Sequence, residues 1–388
     1  NGGSPPGSAV DSDPRPDPDP TPNPDVDPDV DPDPGVEPCV GAPAPLTRLN
    51  RDEIERAVEA ALGVPAPGAR ALPPDETAGS FAVNHTAPPS EPWVRTVMEL
   101  AESVATQLPE AVVRCTADDC LDAALEAVAR PLMRRAITAD ERSALRDLWN
   151  AGRDISGDAS DGWRAVVEGL LQSPDFLYRP APDPERPERL AARLAFVMWG
   201  EGPDDVLVRA AREGRLASRD GLAAEIDRML ADPRARWLSE RFTIGWLDLS
   251  RLSEVTKHYS LLRFDREVRA AMEEETIRFV DAVVRNGQGN LHTLMTARWT
   301  YLTEPLLPIY GVAVPDGFDP ERPMTLPDGQ RYGVLSHPSV LTTHSTSRYS
   351  SPVARGSMIL DHMVCRPIPL PDIDIPELPA PVPGQTAR

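Results

Sequence analysis

The sequence predicts a mostly α-helical body of several subdomains, held between extended proline-rich arms. Three observations carry that reading. Apolar residues recur at helical spacing, as in Ile54, Ala57, Val58, Ala61 and Leu62. Capping residues precede such runs, and Gly or Pro follows them. Proline makes up 45 of the 388 residues, about twice its usual share, with the excess at the two ends.

Residues 1–40 read as a disordered acidic linker. Between Asp11 and Glu37 ten carboxylates face Arg15 alone. Proline fixes φ and like charges repel, so an extended spacer is the favoured state. Calcium binding is the sharper alternative, but no Gly-punctuated ligand loop supports it. An N-terminal helical subdomain fills 41–115. Asn50 and Glu53 form a capping box there, Gly63 and Pro65 stop the first helix, 64–92 is irregular, and helix resumes over 93–107. A second subdomain fills 116–182. Thr116 and Asp119 signal its first cap, Pro131 must kink or break that helix, and Thr138 with Glu141 caps the next. The stripe Trp163, Val166, Val167, Leu170 and Leu171 ends at Ser173-Pro174.

The central helical domain spans 186–312. Asp232-Pro233 fits a helix start, Asp265 opens the longest helix, and Glu304 to Tyr310 forms a short one. Minor strands are expected near 299–303 or 332–342. A polar loop and terminal helical segment follow at 313–365, then an extended proline-rich tail at 366–388. Trp163, Trp199 and Trp246 lie on apolar faces and are expected in the core.

A formal net charge of −21 repels phosphate backbones and excludes nucleic acid and anionic membranes as partners. No apolar run reaches the roughly 18 residues of a membrane helix. The first residue is Asn1 rather than Met, so a missing leader says nothing against export. Cys39, Cys115, Cys120 and Cys365 form no C-x-x-C, which removes zinc-ribbon, thioredoxin-like and covalent-haem readings within this sequence. Disulfides in an oxidising compartment and four unrelated thiols both stay open.

Chemistry-bearing residues concentrate in 336–356. Its candidate polar site is His337, Thr342, His344, Arg348 and Arg355. A serine–histidine hydrolase is conceivable, although no G-x-S-x-G elbow occurs. The competing and favoured reading is a polar loop held by hydroxyl-to-backbone hydrogen bonds. Glu273, Glu274 and Glu275 could serve a metal or acid–base site. A solvated face with a Glu274–Arg278 pair is the plainer expectation. Met358 and His362 would share a helix face and could be axial haem or copper ligands; an ordinary helix end is favoured. No metal site is assigned.

Five ordered blocks resemble the domain-of-unknown-function 1592 family with its companion 1587-, 1595- and 1588-type domains, found in planctomycete and myxobacterial exported proteins. The first runs from Arg48-Leu-Asn-Arg-Asp-Glu53 to Leu62-Gly63, with Ile54 where the family usually has Tyr. The second joins Arg134-Arg-Ala-Ile-Thr-Ala-Asp-Glu141, with Ala136 in place of Pro, to Leu170-Leu-Gln-Ser-Pro-Asp-Phe-Leu-Tyr-Arg179. The third is Leu190-Ala-Ala-Arg-Leu-Ala-Phe-Val-Met-Trp-Gly200 with Pro203-Asp-Asp205. The fourth runs from Phe264-Asp-Arg-Glu267 through Glu274-Glu-Thr276 and Tyr301-Leu-Thr-Glu304 to Tyr310-Gly311. The fifth is Gly333-Val-Leu-Ser-His-Pro-Ser-Val-Leu-Thr342 with Ser351-Pro-Val-Ala-Arg-Gly356.

The resemblance supplies no catalytic residues and leaves open whether this is an enzyme. It implies an extracytoplasmic location: periplasm, outer-membrane surface or secreted. A lipid-modified cysteine just before Asn1 is the candidate anchor. The resemblance also implies a Cys115–Cys120 disulfide. Cys39 and Cys365 each border an arm, and from that position a pair between them is a further expectation. Family members often continue past the proline run into a domain carrying C-x-x-C-H. The expectation is therefore a fragment without its own cofactor, whose c-type haem would sit in a missing C-terminal domain. A component of an extracytoplasmic, cytochrome-linked redox module is the leading functional expectation. A non-catalytic surface binding or scaffold protein and a Ser/His-dependent hydrolase are the alternatives.

Overall fold

Helix α1 (Arg51–Leu62) starts where its cap places it. The Asn50 side chain accepts from the Glu53 amide at 2.9 Å, and the Glu53 carboxylate accepts from the Asn50 amide at 3.0 Å. Gly63 closes the helix at φ 67°. The computed structural model describes residues 46–366 and 368, apart from 79, 86–87, 180, 182, 184–185, 259–263, 287–288 and 327–330. All of these lie in one unit of the chain, Pro45–Arg388. The linker expected at 1–40, Cys39 and nearly all of the tail lie outside the described residues.

A two-residue hairpin, Thr77–Ala78 with Phe81–Ala82, interrupts the irregular stretch before α2 (Glu91–Ala105). Helix α3 (Asp118–Met133) departs from expectation at its start: its N-cap is Ala117, with no side-chain cap bond, rather than Thr116. Pro131 does not break it, since the helix runs on to Met133. Helix α4 (Ala139–Ser156) has the expected Thr138–Glu141 capping box and packs against α5 (Ala159–Leu171). The short α6 (Pro174–Leu177) follows. Trp149, Trp163, Phe176, Leu121 and Leu125 are buried in the core that these helices share.

An arginine clasp fastens this bundle. After α3 the backbone turns left-handed at Arg134 (φ 59°), whose buried guanidinium donates to the carbonyls of Asp175, Phe176 (2.9 Å) and Tyr178 (3.1 Å). Arg135 grips Glu141 through two bonds, 2.7 and 2.8 Å, and reaches Asp175 at 3.0 Å. Arg179 pairs with the buried Glu53 of α1, and the strands Thr47–Arg48 and Tyr178–Arg179 are antiparallel partners.

Helices α7 (Glu188–Trp199), α8 (Asp205–Arg212) and α9 (Arg219–Ala231) form a second apolar cluster around Trp199. Asp204 caps α8 and accepts from Arg228 at 2.9 Å, and Arg234 lies 3.6 Å over the Trp199 ring. Gly200 holds φ 70° against the Trp237 ring of α10 (Arg236–Trp246), where a Cβ would collide. Asp265 opens the long α11 (Arg266–Asn286) by accepting from the Val268 amide at 3.0 Å. Two further clusters lie along α11, one around Phe279, Val280 and Val340, the other around Met272, Leu306 and Tyr310.

The remaining helices are α12 (Leu291–Thr296), α13 (Leu307–Tyr310), α14 (Pro338–Thr343) and α15 (Pro352–Met358). A strand forms at Trp299–Thr300, paired with Met324–Thr325. The strand expected near 332–342 is instead a 3-10 turn, Val334–Ser336, and then α14. Proline in the first turn of α14 favours the helix and is a poor ladder member.

Cys115 and Cys120 are disulfide-bonded across a Cα separation of 5.8 Å. No helix among the described residues is long and apolar enough to cross a membrane. Two measurements check this layout. Titrating thiols in the unfolded, unreduced protein should find Cys115 and Cys120 unreactive; four reactive thiols would refute the bond. Arg134→Met removes the Nη2 donor that all three carbonyls share, leaving buried carbonyls without a partner. It should lower stability to urea by about 2 kcal/mol or more; an unchanged midpoint would remove the clasp's role.

Candidate functional site

Helix α11 carries a polar stripe into the interior. Thr276 is fully buried, and its hydroxyl lies 3.0 Å from His337 Nδ1 and 2.6 Å from Ser339 Oγ. The same hydroxyl reaches the Met272 carbonyl at 3.2 Å. One oxygen thus links the long helix to both ends of the His337-Pro338-Ser339 step that starts α14. Burial drives the His337 imidazole down to about 3, with the Arg331 charge acting the same way, so at neutral pH the ring is uncharged. Phe279 closes over it edge-on, with ring centroids 4.8 Å apart.

Glu275, one residue earlier, is 1% exposed. Its Oε1 accepts from Tyr310 and, at 2.8 Å, from Thr300; its Oε2 has no hydrogen-bond partner. Burial raises this carboxyl to about 7 against the opposing pull of those hydroxyls and Arg331. The Tyr310 hydroxyl is raised as well, by burial and by the carboxylate beside it. Arg331 stands 4.7 Å over the Tyr310 ring and donates to the Ser336 carbonyl at 2.8 Å.

The plain reading of the glutamate triplet needs correction. Glu274 pairs with Arg236 at 2.6 Å, whereas Arg278 pairs with Glu321 at 2.8 Å. Glu275 is no solvated residue. The signal was its spacing: Met272, Glu275 and Phe279 fall at i, i+3 and i+7 on the apolar face.

The five candidate polar residues occupy separate surroundings. His337 faces α11. Thr342 is half-buried, and its carbonyl accepts from Lys257 at 3.2 Å and from the Ser345 hydroxyl at 3.0 Å. His344 is buried with Nε2 3.1 Å from the Leu247 carbonyl, and burial lowers its pKa. Arg348 is exposed and lies 2.6 Å from His258 Nε2. Arg355 sits half-buried on α15. Among the described residues no hydrogen bond or ion pair joins any two of the five. Met358 is buried, while His362 directs Nδ1 to the Trp246 carbonyl at 2.7 Å. No group of three or more His, Cys, Asp or Glu suited to a metal ion occurs among the described residues.

Among the described residues, the surface hollows include two with charged linings. One, about 730 Å³, lies over the clasp beside Arg134, Arg135, Arg179, Arg186 and Arg189. Its charges are largely taken, by Glu141 and Asp175 on Arg135, Glu53 on Arg179, and Asp183 on Arg186 and Arg189. The other is a groove of about 430 Å³ along α10. Phe81, Val197 and Phe242 line it with exposures of 42%, 54% and 44%, and Trp237 backs it. Gly245 admits the Phe81 ring against the helix backbone. Glu53, Arg179 and Arg241 supply charge, with Arg241 held by Asp52 at 2.8 Å. Sequence reading missed this groove because its aromatics come from three distant segments and share no period.

Comparison with known families matches three models. Residues 186–312 match PSD4, a protein of unknown function (DUF1592). Residues 120–180 match PSD5, a protein of unknown function (DUF1595), and residues 331–388 match PSCyt3, a protein of unknown function (DUF1588). No curated protein matches the chain. No solved structure matches it either.

The two buried titrating groups act on stability with opposite signs. Glu275, raised from 4.5 to about 7, keeps a proton that the unfolded chain releases. Its contribution is fully present below 4.5 and is lost as pH rises through about 7. His337, lowered from 6.5 to about 3, refuses a proton that the unfolded chain takes up. Its contribution is fully present above 6.5 and is lost as pH falls through about 3. Between 4.5 and 6.5 the two slopes oppose each other. Glu275→Gln should therefore make stability climb with pH across that window, by up to ~1.4 kcal/mol per pH unit relative to the unaltered chain. His337→Asn should make it fall. Urea midpoints at several pH values check both; parallel profiles for all three proteins would sink the assignment.

Proposed function

Because the chain carries DUF1592, DUF1595 and DUF1588 domains, we propose that it is the non-catalytic binding and scaffolding body of an extracytoplasmic protein. One observation carries this reading. One candidate hydrolytic set, His337 with the hydroxyls of Ser339 and Thr276, is sealed against α11. His337 and Ser339 are 2% and 0% exposed, and both are bonded to Thr276. A general base must meet the proton that it abstracts, and a nucleophile must meet its substrate. Neither is offered to solvent here. The groove along α10, by contrast, combines open aromatic surface with fixed charge, the usual composition of a recognition site. The Cys115–Cys120 bond fits an oxidising compartment.

A second reading is favoured by the name PSCyt3 attached to the model matching 331–388. In it, this body holds a c-type cytochrome domain in position for electron transfer outside the cytoplasm. Scaffolding and redox support are compatible, since the haem would belong to the cytochrome domain and the geometry to this chain.

Two measurements separate the readings. With p-nitrophenyl acetate as a generic ester probe, the protein should show no turnover that Ser339→Ala or His337→Asn removes. Turnover lost in both variants, with folding intact by circular dichroism, would replace scaffold with hydrolase. For the redox setting, the full natural protein should show a Soret band; a spectrum without one would leave binding as the sole reading.

A further inference from the structure

We propose that the groove along α10 is the docking site for this chain's own proline-rich arm, residues 367–383. The proposal rests on reading the chain as a binding body and names what its groove holds. The path of the chain supplies the first argument. The turn Ile359–Met363 is fastened to the end of α10 by two bonds: Trp246 Nε1 donates to the His362 carbonyl at 2.9 Å, and His362 Nδ1 lies 2.7 Å from the Trp246 carbonyl. Trp246 stacks on Phe242, with centroids 5.3 Å apart, and Phe242 lines the groove. The arm therefore leaves the body one helical turn from the groove, on the same face of α10. Arg366, whose amide donates to the Leu360 carbonyl at 2.8 Å, marks its start.

Chemistry supplies the second argument. The arm reads Pro-Ile-Pro-Leu-Pro-Asp-Ile-Asp-Ile-Pro-Glu-Leu-Pro-Ala-Pro-Val-Pro from Pro367 to Pro383. Proline-rich segments dock in aromatic-lined grooves, because little chain entropy is left to lose and the rings pack against pyrrolidine faces. The exposed rings of Phe81 and Phe242 and the Trp237 wall offer such a surface. Charge fits as well. Asp372, Asp374 and Glu377 are the acids of the arm, and Arg179 and Arg241 line the groove; burial first, and then the charges of Arg193 and Arg241, push the Arg179 guanidinium down. An acidic strand laid there would relieve that repulsion in a chain otherwise strongly negative.

Reach supplies the third. Polyproline advances about 3.1 Å per residue and a helix about 1.5 Å. Some four or five residues beyond Arg366 would thus span α10 from Trp246 to Leu238. The arm is long enough to cross the groove and continue.

The test uses the full chain. A benzophenone amino acid replaces Val197, an exposed residue on the groove lip, and in a second protein it replaces Phe81. After irradiation the monomer band is digested and its cross-links are mapped by mass spectrometry. Cross-links from both positions to 367–383, with a yield unchanged on dilution, are the expected result. Cross-links only to the body or to residues 1–40, cross-links confined to a dimer band, or none at all would overturn the proposal. Because Val197 lies in solvent, misfolding cannot imitate a negative result from that position. An empty groove would leave the scaffold reading standing, open to outside ligands. Serine-dependent turnover would remove that reading without touching the cross-link result.

Discussion

The guanidinium of Arg134 is the constraint on which the N-terminal half of the body depends. A charged group buried this deeply is costly unless every donor is answered, and burial pulls its pKa down to about 10. Three backbone carbonyls from one short segment all accept from its Nη2, while Nη1 is buried without a hydrogen-bond partner, and Phe196 lies 5.1 Å from the guanidinium. The partners are carbonyls rather than carboxylates, so the contact fixes a backbone path. That path sends Tyr178–Arg179 alongside Thr47–Arg48 and delivers Arg179 to Glu53. Two elements over a hundred residues apart in sequence are thereby locked to one register.

The C-terminal half is organised by a different compromise. Helix α11 accepts Glu275 and Thr276 on a face that could have been wholly apolar. Replacing a buried polar set by hydrocarbon of similar shape is often neutral or stabilising, whereas removing one member is costly. Such a set selects geometry more than it adds stability. Thr276 can satisfy His337 and Ser339 together only if α14 begins at the right height on α11. Gly333 makes that entry feasible: φ 58° with ψ −177° is a backbone state open essentially to glycine, and a Cβ would fall on the Met295 carbonyl.

Much of this architecture was legible in the sequence, because helix starts and periods are local. Asn50 with Glu53, Thr138 with Glu141, Asp265 and Gly63 each act within one turn, and each stands where its pattern put it. Apart from the cap of α3 and the strand expected near 332–342, failures came where a distant partner decided. Glu275 looked like one of three solvated carboxylates, since Tyr310 and Thr300 are 35 and 25 residues away. The polar segment 336–356 looked like a single feature, yet His337 and His344 are claimed by different elements at the two ends of α14. Trp246, expected in the core with Trp163 and Trp199, is only half-buried and donates to the His362 carbonyl. The groove left no sequence trace, because burial patterns encode what is hidden and say little about what stays open.

The motifs carrying the family match are largely consumed by structure. Arg134, Arg135 and Glu141 belong to the clasp, Asp204 to a helix cap, Trp199 to a core, and Ser351 to the start of α15. A match built on such residues transmits a fold, and a fold by itself specifies no chemistry. Function should then be sought beyond those motifs. Of the groove residues, Phe81 lies outside the matched ranges, and Phe242 and Arg241 lie within 186–312 but outside the motifs that carry the resemblance. Phe81 and Phe242 each leave a partly open face, and Arg241 pairs with the half-exposed Asp52. Residues that fold does not require, yet which converge on one hollow, carry more functional information than any number of buried capping boxes.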